Sequence, residues 1–206
     1  MRAYSLEDGE RLVRTARRAI EVCAADRHAD RHTLEPQGFG ERYGLFVTLE
    51  THPGRELRGC IGYLYGTIAV RRSVVEAAIS AAFEDPRFGP LSRNELDDIT
   101  VEVSALGKPE SLGETEKERI GNLVIGRHGL IIERGYSRGL LLPNVATEQN
   151  FDRLEFLEAV CEKAGLENGA WKARDTVLQR FETQIFREVE PTGAVVEVGQ
   201  PGSENE

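Results

Sequence analysis

The stretch YGLFVTLETHPGRELRGCIGYL, Tyr43 to Leu64, decides the fold. Tyr43 to Glu50 reads as a strand, and His52-Pro53-Gly54 turns the chain. Leu57 to Leu64 reads as a second strand, interrupted by Gly59 and Gly62. Two strands joined by so short a turn pair antiparallel. Beyond them, Ile68, Val70, Val74, Val75, Ala78, Ile79 and Ala82 mark a buried helix to Phe83. Asp85-Pro86-Arg87-Phe88 stops it, because proline disfavours helix at the residue before it. Ser92-Arg93-Asn94-Glu95 has capping-box form, and Ile99 to Leu106 alternates as a strand with Glu102 on its polar side. Strands joined by turns, without regular βαβ alternation, predict an α+β fold: a mainly antiparallel sheet flanked by helices.

Outward from this centre, Ser5-Leu6-Glu7-Asp8 caps an amphipathic helix whose stripe runs through Leu12, Val13, Ala16, Ile20 and Cys23. Residues 27–43 read as a loop and Gly107 to Arg119 as polar and irregular. Two or three strands are expected, at Asn122 to Ile125, Gly129 to Glu133 and Gly139 to Leu142, the last two joined by a hairpin turn at Gly135-Tyr136-Ser137-Arg138. Asp152 to Ala164 reads as a helix and Val177 to Val189 as one final strand. The domain is expected to span residues 1–190, with 191–206 a disordered tail. A short strand of Val195, Val196 and Val198 is the alternative there, although they are a small apolar set.

The composition narrows the function classes. With 206 residues the chain suits one domain or two small subdomains. A net charge of −9 repels phosphate, which disfavours nucleic-acid and anionic-membrane partners. No apolar run approaches the ~20 residues of a membrane span, and no signal-peptide core follows Met1, so a cytoplasmic setting is expected. Cys23, Cys60 and Cys161 form no CxxC pair, and the four histidines contain no HExxH, His28 and His32 included. Neither a metal site nor a nucleotide loop is indicated, and no cofactor is assigned.

Arg58-Gly59-Cys60-Ile61-Gly62 is the candidate functional centre. Glycines within a strand mark a bulge or a place where something approaches the backbone. Positions 58 and 60 of an extended chain share a face, and a guanidinium beside a thiol favours the nucleophilic thiolate or holds an anion. A buried strand cysteine, with glycines required by close packing, is the alternative. Glu102 is a candidate base on its strand, and His128, in the turn Gly126-Arg127-His128-Gly129, a candidate proton shuttle. Asp85, Arg87 and Glu148 are candidate binding residues, against plain readings as helix caps and a local ion pair.

Leu57-Arg58-Gly59-Cys60-Ile61-Gly62 resembles the signature of the AMMECR domain family, named after the Alport syndrome, midface hypoplasia and elliptocytosis chromosomal region. The resemblance continues in order. Ala82-Phe83-Glu84-Asp85-Pro86-Arg87-Phe88 is followed by Val101-Glu102-Val103-Ser104, Gly126-Arg127-His128-Gly129-Leu130, Gly139 through Glu148, and Phe156 through Leu166. Asn144 stands where the family pattern has glutamine and Phe151 where it has tryptophan, which weakens any role for those two side chains. The resemblance implies two unequal subdomains with a cleft between them and no established activity. It also implies, as partners, a Memo-type protein and a radical SAM enzyme of a shared modification pathway. The favoured reading is a component that binds a small molecule or a partner protein. The alternative is an enzyme with Cys60 as nucleophile or acid, and a nucleic-acid module stands third. No base is placed by spacing against Cys60, which favours the first.

Overall fold

A computed structural model describes residues 4–199. In chain order its strands are β1 (Leu45–Thr51), β2 (Leu57–Tyr63), β3 (Ile99–Leu106), β4 (Glu110–Ser111), β5 (Gly129–Arg134), β6 (Ser137–Leu141), β7 (Val177–Phe181), β8 (Thr183–Glu188) and β9 (Val195–Val198). The α-helices are α1 (Leu6–Ala25), α2 (Val70–Phe83), α3 (Glu116–Gly121), α4 (Pro143–Glu148) and α5 (Arg153–Lys163). The described residues divide into two compact units, 4–106 with 184–198, and 107–183 with 199. Helices and antiparallel sheets together make the expected α+β class.

The first unit is built on a five-stranded sheet of order β2-β1-β3-β8-β9. Leu45, Val47 and Leu49 of β1 and Val101 and Val103 of β3 are fully buried, and with α1 and α2 they form one core. Thr48 and Glu102, one position out of step, therefore lie on the other face of the pleat. Helix α1 begins at the Ser5–Asp8 capping box and buries Leu12, Val13, Ala16, Ala19, Ile20 and Cys23. Its Arg17 is also buried and pairs with the fully buried Glu188 of β8. Glu188 takes the Val101 N–H as well, so one carboxylate joins α1, β3 and β8.

The second unit has a four-stranded sheet, β4-β7-β5-β6, over a core of Leu112, Leu123, Leu130, Ile132, Phe156, Leu157, Val160, Cys161 and Trp171. Arg119 of α3 is buried without a carboxylate in its hydrogen-bond set. Its nitrogens donate to the carbonyls of Gly113, Trp171, Ala173 and Thr176. Those bonds offset the cost of dehydrating the charge.

Three expectations are corrected. Residues 122–125 form no strand. Thr115 and Glu118 make a capping box that starts α3 within the segment read as irregular, and the chain then turns. The single strand expected over 177–189 is two, β7 and β8, in different sheets. They part at Glu182, whose carbonyl takes the Gly107 N–H instead of a ladder bond. Strand residues stand on both sides of Glu182, so strand propensity alone cannot reveal the break. The tail expected to be disordered contributes β9, which pairs with β8 from Glu188↔Val195 to Ile185↔Val198. Backbone pairing on a sheet edge needs little apolar surface, which is why composition misled. Residues 200–206 lie outside the described residues.

Candidate functional site

Strand β2 is an edge strand, so one side of its backbone has no neighbouring strand. Cys60 stands opposite Thr48 of β1. Its N–H donates to Asp85 Oδ2 at 2.9 Å, and its carbonyl accepts from Arg87 Nη2 at 3.2 Å. Both backbone groups therefore face outward, which makes Cys60 and Thr48 a non-hydrogen-bonded pair, the kind whose side chains approach most closely. The Thr48 hydroxyl accordingly lies 3.2 Å from the Cys60 sulfur and donates to it.

Asp85 follows the end of α2 and is buried. Its carboxylate takes the Arg87 side chain at 2.7 and 3.0 Å and the Arg87 N–H at 3.1 Å, besides Cys60. The Arg87 bonds first, with the two backbone N–H groups, hold its pKa well below the usual carboxylate range against the opposing effect of burial. The pair Asp85 and Arg87 is thus more than a helix stop. It occupies the hydrogen-bonding edge of β2 at Cys60, where an unpaired strand would otherwise invite another chain.

The bracketing glycines have steric causes. A side chain at Gly59 would overlap the Ala81 carbonyl of α2, and one at Gly62 would overlap the Phe46 ring and the Leu45 carbonyl. Arg58 does not bond the thiol. Its Nε donates to Glu95 at 2.7 Å and its Nη2 to the Gly89 carbonyl at 3.0 Å. The Arg58 bond, helped by Ser92, brings the Glu95 pKa down to about 2.

Glu102 stands opposite Thr48 on the far side of β1, so Cys60, Thr48 and Glu102 form a row across three strands. Arg187 of β8 extends it, 3.7 Å from the Glu102 carboxylate. Strands lie about 4.8 Å apart, so the Cys60 and Glu102 backbones are separated by about 10 Å. A general base needs ~3 Å. Glu102 therefore shares a face with the thiol but does not touch it. Burial first, then the nearby Glu50 charge, raise its pKa, against Arg187 and Arg55.

The remaining candidates belong to the second unit. His128 is buried in its turn, and its Nδ1 accepts the Val124 N–H at 3.0 Å, which assigns the proton to Nε2. Burial first, and the Arg180 charge next, lower its pKa. Glu148 is exposed on α4 and accepts from Asn144 at 2.9 Å. Both have local structural partners. No group of three or more His, Cys, Asp or Glu able to hold a metal occurs among the described residues. No described helix is long and apolar enough to cross a membrane.

Sequence reasoning missed Thr48 and the second role of Glu95. Thr48 is found only through the β1–β2 register, and Glu95 was legible as a cap but not as the partner of Arg58.

The AMMECR1 family model matches residues 13–186, and the chain belongs to that family. Protein MJ0810 of Methanocaldococcus jannaschii is 46% identical over 198 residues, covering 96% of this chain and 98% of its own. Protein MK0488 of Methanopyrus kandleri is 44% identical over 195 residues, covering 94% of each. The crystal structure of the uncharacterized protein PH0010 from Pyrococcus horikoshii is similar with a TM-score of 0.76 at 40% identity, covering 92% of this chain and 96% of that one.

Proposed function

We propose that this AMMECR1 family member is a binding component of an enzymatic modification pathway, and that a small ligand or a partner segment docks around Arg58, Cys60, Asp85 and Arg87. One observation carries this reading. The hydrogen bond to the Cys60 sulfur comes from a hydroxyl donor, Thr48, and the acid on the same face stands two strands away. A nucleophilic thiol needs a base within reach. With Thr48 as its side-chain partner and no carboxylate or imidazole bonded to it among the described residues, the thiol serves this reading as a contact surface, and Asp85 and Arg87 hold its backbone.

The Memo-type and radical SAM partners implied by family resemblance belong to this proposal, as does the cytoplasmic setting. Three free cysteines support the setting, because thiols persist unpaired in reducing compartments. The second reading, a thiol-dependent enzyme, draws on Glu102, whose raised pKa suits proton transfer to a ligand lying across the row.

Alkylation separates the two readings. Iodoacetamide at pH 7 should modify half-buried Cys60 before buried Cys23 and Cys161. The rate should not exceed that of the same thiol in urea-unfolded protein. A native rate more than about tenfold above the unfolded one would establish an activated nucleophile and end the binding-only reading.

A further inference from the structure

Arg58 Nη1 is a buried side-chain nitrogen with no hydrogen-bond partner among the described residues. The other two guanidinium nitrogens are anchored, Nε on Glu95 and Nη2 on the Gly89 carbonyl, so the third is held in a fixed direction. Buried polar groups in native proteins are nearly always paired, and an unmet donor on a cation calls for an acceptor from elsewhere.

Arg87 lies nearby with its side chain half exposed. Its Nε and Nη2 are spent on Asp85 and the Cys60 carbonyl, and its Nη1 has no partner among the described residues. The two guanidinium carbons lie 5.8 and 5.5 Å from the Phe88 centroid. Glu95 and Asp85 already balance both charges. What remains on offer is the fixed Arg58 Nη1 donor and the exposed edge of Arg87, both near one aromatic ring, donors suited to a planar or tetrahedral oxyanion.

We propose that Arg58 and Arg87 receive an oxyanion of the ligand, a carboxylate or a phosphate, with Arg58 Nη1 as the orienting donor. The inference rests on the binding reading above and supplies the chemical class of its ligand. Nη1 itself is covered, and the Arg58 side chain as a whole keeps 15% exposure. The anion therefore reaches Nη1 by a local shift of the side chains that cover it, with Gly89 and Arg87 kept in place as anchors. The neighbouring segment 86–90 is exposed except for half-buried Phe88, and open space surrounds Gly89.

The test uses the full chain labelled with 15N-arginine, titrated with inorganic phosphate and separately with acetate while the guanidinium resonances are followed by NMR. Saturable shifts are expected at Arg58 and Arg87. The anion that binds at least tenfold more tightly identifies phosphate or carboxylate as the source. Arg17 and Arg119 are internal controls, because every guanidinium nitrogen of each is already bonded in a core. No saturable shift at Arg58 with either anion overturns the inference, and so does an equal shift at Arg17 and Arg119. In Arg58→Lys, which keeps the charge and loses the fork, anion affinity read at Arg87 should fall at least tenfold. Unchanged affinity there also overturns it. None of these results alters the alkylation test, which judges the binding reading separately.

Discussion

The carboxylate of Asp85 accepts the backbone N–H of Cys60 at 2.9 Å, and Arg87 returns a bond to the Cys60 carbonyl at 3.2 Å. Two residues just past α2 thus serve as the missing neighbour of an edge strand. The thiol then projects from a backbone fixed on both sides, by β1 and by this clamp.

Asp85→Ala should destabilise the protein by about 2–3 kcal/mol, because the Cys60 N–H and the Arg87 guanidinium lose their acceptor together. Urea denaturation at pH 7 measures it. The Asp85 pKa is depressed in the folded chain, so its contribution is present above the unfolded carboxylate pKa of ~3.9 and fades as pH falls below that. The gap between native protein and variant should therefore narrow below about pH 4. A gap that stays constant to pH 2 would assign the loss to packing instead.

Glu102→Gln should behave in the opposite sense. Burial raises the Glu102 pKa, so folding favours its protonated form. That contribution is complete below the unfolded pKa of ~4.3 and is lost as pH rises through the higher folded value. The variant should melt above the native protein at pH 7 and match it near pH 4. A variant less stable at pH 7 would show that the Arg187 pair outweighs burial.

Gly59→Ala should cost about 1–3 kcal/mol or prevent folding, because the added carbon overlaps the Ala81 carbonyl of α2. Gly89→Ala, where a side chain meets nothing within 4 Å, should be near neutral by the same thermal measurement. Similar losses at both would exclude close helix–strand approach as the cause.

Ending the chain at Pro191 should lower the melting temperature by roughly 4–8 °C relative to a chain ending at Gly199, corresponding to about 2 kcal/mol. The shorter chain loses β9 and the carbonyls of Thr192 and Gly193 that accept from Arg14. Equal melting temperatures would make β9 energetically idle.

Much of the first unit was legible in the amino-acid order. The α1 and α2 stripes, the β1 and β2 hairpin and the alternation of Ile99 to Leu106 are local patterns, carried by periodicity and turn chemistry within a few residues. The same alternation put Glu102 on the polar side of its strand, and the glycine bracket drew attention to Cys60. The split of residues 177–188 between two sheets was not legible, because an extended backbone looks alike whichever sheet takes its hydrogen bonds. For β9 only its small set of valines was legible, and the pairing with β8 that orders it was not.

For the site, the sequence by itself determined the residue types and the reason to look at positions 58–62. Tertiary structure alone decided their partners. Thr48 meets Cys60 through strand register, Asp85 reaches it from 25 residues away, and Glu95 takes Arg58 from 37. Hydrogen bonds act over about 3 Å. Which groups come that close is settled by packing between distant segments, which no local pattern records.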